Sequence, residues 1–189
     1  MIPPGLSFIT MSQKAWEAAE ESNLPKFYLN LKSYRKSLLS NSNPYTPAVN
    51  LVFALDESLK MMREEGLDKI FSRHNKHKLA VSNAIKALNL KLFADEKYLS
   101  HSITAIKTGE MDAEEFRKTI KNNFDILLAG GQDHLKGKIF RVGHLGYVND
   151  RDIITVVSAI SNTLLDLGKI TAQQAGEALV EASKYLEKN

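Results

Sequence analysis

Arg141 stands in the run Lys138-Ile139-Phe140-Arg141-Val142-Gly143-His144-Leu145-Gly146-Tyr147, a cation set among apolar residues and followed by a glycine-punctuated turn. Alternate side chains of an extended strand face opposite ways, so Phe140 and Val142 share one face while Ile139 and Arg141 share the other. A guanidinium in that setting needs a carboxylate. It can come from an Asp or Glu of the same chain, since charges withdrawn from water are usually paired. It can equally come from a ligand, which the planar fork holds through two parallel hydrogen bonds. A second candidate is Thr46-Pro47, with Thr46 as helix N-cap and Pro47 at the first helical position. The unsatisfied N–H groups of such a helix start either bind an anion such as phosphate or are simply capped. His74 and His77 are three residues apart, a spacing that metal ligands use, but no third ligand lies nearby in the sequence and a protein metal site typically has at least three.

The elements that must position these residues follow from hydrophobic periodicity. Leu6-Ser7-Phe8-Ile9-Thr10-Met11-Ser12 reads as a strand, with no other convincing strand for a long stretch to pair with it. A short helix over 12–20 starts at Ser12, and residues 27–31 read as irregular or extended. From Pro47 a helix carries Ala48, Leu51, Val52, Leu55, Leu59 and Met62 at 3-and-4 spacing and stops at Gly66. The next helix, 67–89, has Ile70, Phe71, His74, Val81, Ile85 and Leu88 as its apolar stripe and Arg73, Lys76, His77 and Lys78 as a basic, solvated segment. Beyond Leu90 come extended segments near 90–93, 102–107, 125–128 and 138–143, with a helix over 113–123 opened by Asp112 and Glu115 and turned inward by Phe116, Ile120 and Phe124. Asn149 with Asp152, and Thr171 with Gln174, open two final helices, the first of which carries Leu164 and Leu167 and stops at Gly168. A small sheet covered on one face by helices satisfies this order with short connections, an α/β fold of the α+β kind.

Composition narrows the class. At 189 residues and 43% apolar the chain can bury a core. A formal charge of +3 is too slight to imply nucleic acid or a membrane as partner, and the basic segment lacks the stacking aromatics of a nucleic-acid surface. No spanning apolar run or signal peptide is present, which makes the cytoplasm the default compartment. Cysteine is absent, so disulfides, thiolate metal sites and cysteine-held iron–sulfur or nickel chemistry are not expected.

Taken together, Pro3-Pro4-Gly5-Leu6, Pro44-Tyr45-Thr46-Pro47-Ala48-Val49, Gly130-Gly131 and Gly137-Lys138-Ile139-Phe140-Arg141-Val142-Gly143-His144-Leu145-Gly146 resemble the C-terminal half of a class V aminotransferase. More narrowly, the set is similar to the serine-pyruvate and alanine-glyoxylate aminotransferases, including the soluble hydrogenase subunit group of cyanobacteria. The resemblance covers essentially the whole chain and rests on the order and spacing of several motifs.

The resemblance implies a fold-type I enzyme with pyridoxal 5'-phosphate bound to a lysine just upstream of the Pro-Pro-Gly, so that this chain, beginning at that Pro-Pro-Gly, is expected to lack the Schiff-base lysine and to be inactive alone. It implies that residues 1–66 are the tail of the large cofactor domain and 67–189 the complete small C-terminal domain. Arg141 matches the arginine that grips the substrate α-carboxylate. Thr46 matches the threonine that helps to hold the cofactor phosphate of a neighbouring subunit, and Asn43 stands at a phosphate-contact position occupied by tyrosine in mammalian-type members. The expected partners are a small amino acid and a 2-oxo acid, the N-terminal half of the enzyme, and a second copy in a homodimer. Two other readings of the residues stay open: a ferredoxin-like ligand-sensing module with Arg141 on an effector, and an interaction domain that docks through the helix at 47–65.

Overall fold

The computed structural model describes residues 1–186. The chain divides into two compact units, Met1–Glu64 and a second that opens at Glu65.

The first unit is three helices, α1 (Gln13–Glu21), α2 (Leu31–Leu39) and α3 (Val49–Glu65), whose last residue already belongs to the second unit. Ser12 caps α1 by accepting from the Ala15 N–H at 3.2 Å, and Asn30 caps α2 by accepting from Lys32 at 3.1 Å. The α2 helix was not expected. Residues 27–30 turn as anticipated, but Leu31 already lies inside it. Residues 6–12 form no strand: β-propensity describes a side chain on a pleated, paired surface, and this segment has no neighbour to supply the ladder. Phe8 and Ile9 are accordingly exposed.

Thr46 does not cap α3. The first helical bond is accepted by the Ala48 carbonyl from Val52 at 3.1 Å, because Val49 folds back onto the Pro47 carbonyl at 2.9 Å and delays the helix by two residues. Tyr45 ties the unit together, with its ring 5.6, 4.8 and 6.0 Å from those of Phe27, Tyr28 and Tyr34. Arg35 stacks 4.7 Å over Trp16. In these three helices only Ser58 is buried, so the unit has no apolar core of its own.

The second unit has one. Its order is α4 (Leu67–Ala87), β1 (Lys91–Leu92), β2 (Ile103–Lys107), α5 (Ala113–Phe124), β3 (Ala129–Gly130), β4 (Ile139–Gly143), α6 (Asp150–Asp166) and α7 (Ala172–Leu186). The strands form one antiparallel sheet in the order β1-β2-β4-β3. Ile106, Phe140 and Val142 project from its inner face into a core completed by Val81, Ala84 and Ile85 of α4, Phe116 and Ile120 of α5, Ile153, Val157, Ile160 and Leu164 of α6, and Ala178 and Ala182 of α7. The expected small antiparallel sheet covered by helices is therefore the observed fold.

Caps decide where several helices begin. Asn149 Oδ1 accepts from Arg151 and Asp152 at 2.9 and 3.2 Å while Asp152 Oδ2 accepts from the Asn149 N–H at 2.9 Å, a complete capping box. Thr171 and Gln174 exchange the same pair of bonds at α7. Asp112 caps α5 through Glu114 and Glu115 N–H groups, but Glu115 does not reach back. Asn149→Ala should cost about 1 kcal/mol of unfolding free energy, read from urea denaturation of the whole chain.

Three expectations need correction in this unit. The third strand is Ala129–Gly130, not 125–128, because Asp125 closes α5 in the left-handed conformation (φ 54°) and the chain spends the next residues turning back. Phe71, Phe124 and Leu167 face outward rather than inward. His77 is fully buried instead of lying on a solvated basic face. Among the described residues no helix is long and apolar enough to cross a membrane.

Candidate functional site

In β4, Arg141 faces away from the helices, half-buried, with Ala105 of β2 and Ala129 of β3 directly opposite it on either side. Directly opposed residues share a face, so the strand positions on either side of Arg141 carry only small methyl side chains. Arg141 Nε donates to the Gly130 carbonyl at 2.9 Å. No carboxylate of the described residues lies within ion-pair distance of it. One edge of the fork is thus anchored to backbone, and the two Nη groups are uncommitted donors.

The loop that supplies this anchor is built on glycine for reasons of space. A Cβ on Gly131 would stand 2.1 Å from the Leu135 carbonyl oxygen, so only glycine fits. A Cβ on Gly130 would stand 2.5 Å from Arg117 Nη1 and 2.6 Å from Glu114 Oε1.

Past Arg141 the chain enters the turn Gly143–Val148, which α4 holds from below. His144 is fully buried, with Nδ1 3.2 Å from the His101 carbonyl and Nε2 2.9 Å from the Thr104 hydroxyl. A carbonyl only accepts, so Nδ1 carries the proton and Nε2 accepts from Thr104. Burial pushes the His144 pKa down to about 4. His74 Nδ1 donates to the Ile70 carbonyl at 2.7 Å, and its Nε2 accepts from the Gly146 N–H at 3.2 Å. Arg73 Nη1 donates to the Gly146 and Val148 carbonyls at 2.8 and 3.2 Å while its other nitrogens grip Glu65 at 2.6 and 2.9 Å. That grip holds Glu65 below the usual carboxylate range.

His77 Nε2 meets Asp150 Oδ1 at 2.8 Å, and Lys76 takes Asp150 Oδ2 at 2.7 Å. Burial lowers the His77 pKa more than the Asp150 hydrogen bond raises it, so His77 is neutral at pH 7 and its contact is a hydrogen bond rather than an ion pair. Burial raises the Asp150 pKa, but the Lys76 and His77 hydrogen bonds outweigh it and hold this carboxyl low.

Asn43 and Thr46 belong to the first unit, where both are exposed and make no hydrogen bond to the described residues. The Tyr45 hydroxyl donates to the Phe27 carbonyl at 2.9 Å and fixes the loop between them. A hydroxyl and an amide exposed on one loop form a donor pair that suits a phosphate group, so Thr46 and Asn43 fit the phosphate end of pyridoxal phosphate; the head of the helix adds little, because the Val49 and Leu51 N–H groups are already bonded to the Pro47 and Ala48 carbonyls. The structure brings Asn43 and Thr46 onto one loop, while Arg141 lies in the second unit. Sequence reasoning picked out Gly130-Gly131 as a motif without giving Gly130 a role, and it missed Arg117 and the Arg73–His74 grip. The glycine pair was the available signal for Gly130 and Arg117; the grip acts on backbone and left none.

No family model matches the chain. Among curated proteins it is 54% identical over 168 residues to the soluble hydrogenase 42 kDa subunit of Anabaena cylindrica, covering 89% of this chain and 44% of that one. It is 32% identical over 197 residues to the serine–glyoxylate aminotransferase of Methylorubrum extorquens, covering 100% of this chain and 48% of that protein. Among solved structures, the ureidoglycine–glyoxylate aminotransferase of Bacillus subtilis superposes with a TM-score of 0.86 at 28% identity, covering 97% of this chain and 49% of that one. The chain is related to the class V, fold-type I aminotransferases. It spans about half the length of the curated relatives it matches. In this aminotransferase-related chain the second unit has the architecture of the small C-terminal domain of that fold.

Proposed function

We propose that this chain provides the carboxylate-gripping part of a pyridoxal-phosphate aminotransferase that moves an amino group between serine or alanine and glyoxylate or pyruvate. The observation that carries the reading is the Arg141 guanidinium, anchored at Nε to Gly130 and flanked by two alanines, with no carboxylate of the described residues in reach. Such a fork binds the α-carboxylate of an amino or 2-oxo acid through both Nη groups and orients its Cα over the sheet. Thr46, with Asn43 beside it, holds the cofactor phosphate of the neighbouring subunit. Pyridoxal phosphate, when bound, supplies the electron sink for the transfer.

We assign residues 1–66 to the tail of the large cofactor domain and 67–189 to the small domain. The lack of a core in the first unit supports this assignment, since three helices that bury almost nothing among themselves need further protein to cover them. That cover is the N-terminal half of the enzyme, in a homodimer, and the chain alone is inactive.

The test is a pyruvate titration of the chain followed by the ¹⁵N–¹H signal of the Arg141 Nε group. Saturable movement of that signal is expected. Arg141→Ala should weaken pyruvate binding by about 30-fold or more, equivalent to at least about 2 kcal/mol. Arg141→Lys should also bind poorly, because a point charge cannot replace the fork. Binding that survives both substitutions overturns the reading.

A further inference from the structure

Arg141 is oriented by a backbone carbonyl, and what fixes that carbonyl lies on the other side of β3. Arg117 of α5 donates from Nε to the Leu128 carbonyl at 2.8 Å and from Nη1 to Glu114 Oε2 at 2.8 Å. This guanidinium–carboxylate pair presses on the bare Cα of Gly130, where any side chain would collide with both. Glu114 Oε1 is buried against that glycine without a hydrogen-bond partner, a cost that a surface ion pair free to rotate would not bear. A strand of two residues at a sheet edge has few ladder bonds to define its position. Its path is set instead by Arg117 from beneath at Leu128 and by β4 through the sheet pairing.

We infer that Arg117, braced by Glu114, is a positioning residue for Arg141: it holds β3 where the Gly130 carbonyl can take the Arg141 Nε hydrogen and turn both Nη groups toward a carboxylate ligand. Gly130 is the point at which the two arginines meet, one against its Cα and the other at its carbonyl oxygen. The inference rests on the carboxylate-binding reading of Arg141 and assigns to α5, which carries no ligand contact, a part in the affinity of that site.

The experiment compares the whole chain with Arg117→Met, which keeps the apolar stem and removes the donors, and Gly130→Ala, which retains Arg117 and Glu114 but displaces them. Lys121→Met on the same helix is the control. In the two site variants the Arg141 Nε–H signal should shift and exchange faster with water, and pyruvate should bind about 3–10-fold more weakly, the worth of one ordering hydrogen bond. Arg117→Lys should restore part of the loss. An unchanged Arg141 signal and unchanged pyruvate affinity in folded Arg117→Met overturn the inference, as does an equal change in Lys121→Met. If Arg117→Met fails to fold, Gly130→Ala decides by the same two readouts. If the unmodified chain ignores pyruvate while Arg117→Met still releases the Arg141 Nε–H, the carboxylate role of Arg141 fails and the positioning relation stands.

Discussion

Phe140→Ala should remove about 3–5 kcal/mol from the unfolding free energy of the second unit, a large share of what a domain of this size commonly has. Phe140 is the largest fully buried side chain of the fold. It sits opposite Ile106 on one side and Gly130 on the other, and its ring centre lies 5.1 Å from that of Phe116 on α5. Truncation deletes the apolar area and leaves a cavity bounded by a sheet and a helix, neither of which can close on it without breaking strand pairing. Because Phe140 precedes Arg141, the loss should also loosen the strand that carries the fork. Guanidinium denaturation of the whole chain, followed by far-UV circular dichroism, gives the value. A loss below about 1.5 kcal/mol would mean that the core around Phe140 repacks and is not the anchor described.

Acid should undo the same region by a different route. His144 is an imidazole whose pKa is lowered from 6.5 to about 4 by burial, with the nearby His74, His77 and His101 adding repulsion to any charge placed there. Between those two values the unfolded chain takes up a proton that the folded chain refuses, so acid favours unfolding. The His144 contribution is complete above about pH 6.5 and is lost as the pH falls to about 4, amounting to about 3 kcal/mol. His77, lowered for the same reason, acts in the same direction. Urea unfolding at stepped pH should show stability falling by about 1.4 kcal/mol per unit for each proton involved. A His144→Gln variant should flatten the slope. A stability curve level between pH 6.5 and 4.5 would show that the cluster is charged or solvated.

How much of this was legible in the sequence depended on whether the signal was local. The capping pairs Asn149–Asp152 and Thr171–Gln174 marked helix starts that the structure reproduces, because a cap is made by residues a single turn apart. Leu6–Ser12 failed for the opposite reason: its alternation was real, but a strand exists only with a partner. The helix α2 was hidden because Lys, Ser and Arg dilute its Leu31, Tyr34 and Leu38 stripe, although Asn30 announced it. His77 was drawn to the solvated face by its basic neighbours, yet its 4-residue spacing from Val81 places it on the buried stripe. At the candidate site the strand alternation around Arg141 was readable from residue types alone. The dependence of its guanidinium on Gly130 was not, since the partner is a peptide oxygen whose location is set by Arg117, eleven residues before Leu128.

Gly146 is held on both sides of its Cα by consecutive residues of α4, the N–H of the peptide before it by His74 and the carbonyl oxygen of the peptide after it by Arg73. Turning φ or ψ of Gly146, the ordinary way a short glycine turn relaxes, would therefore break one of these two bonds. Leu145 and Tyr147 on either side are therefore exposed without being loose, and any rearrangement of this corner has to carry the first turns of α4 with it.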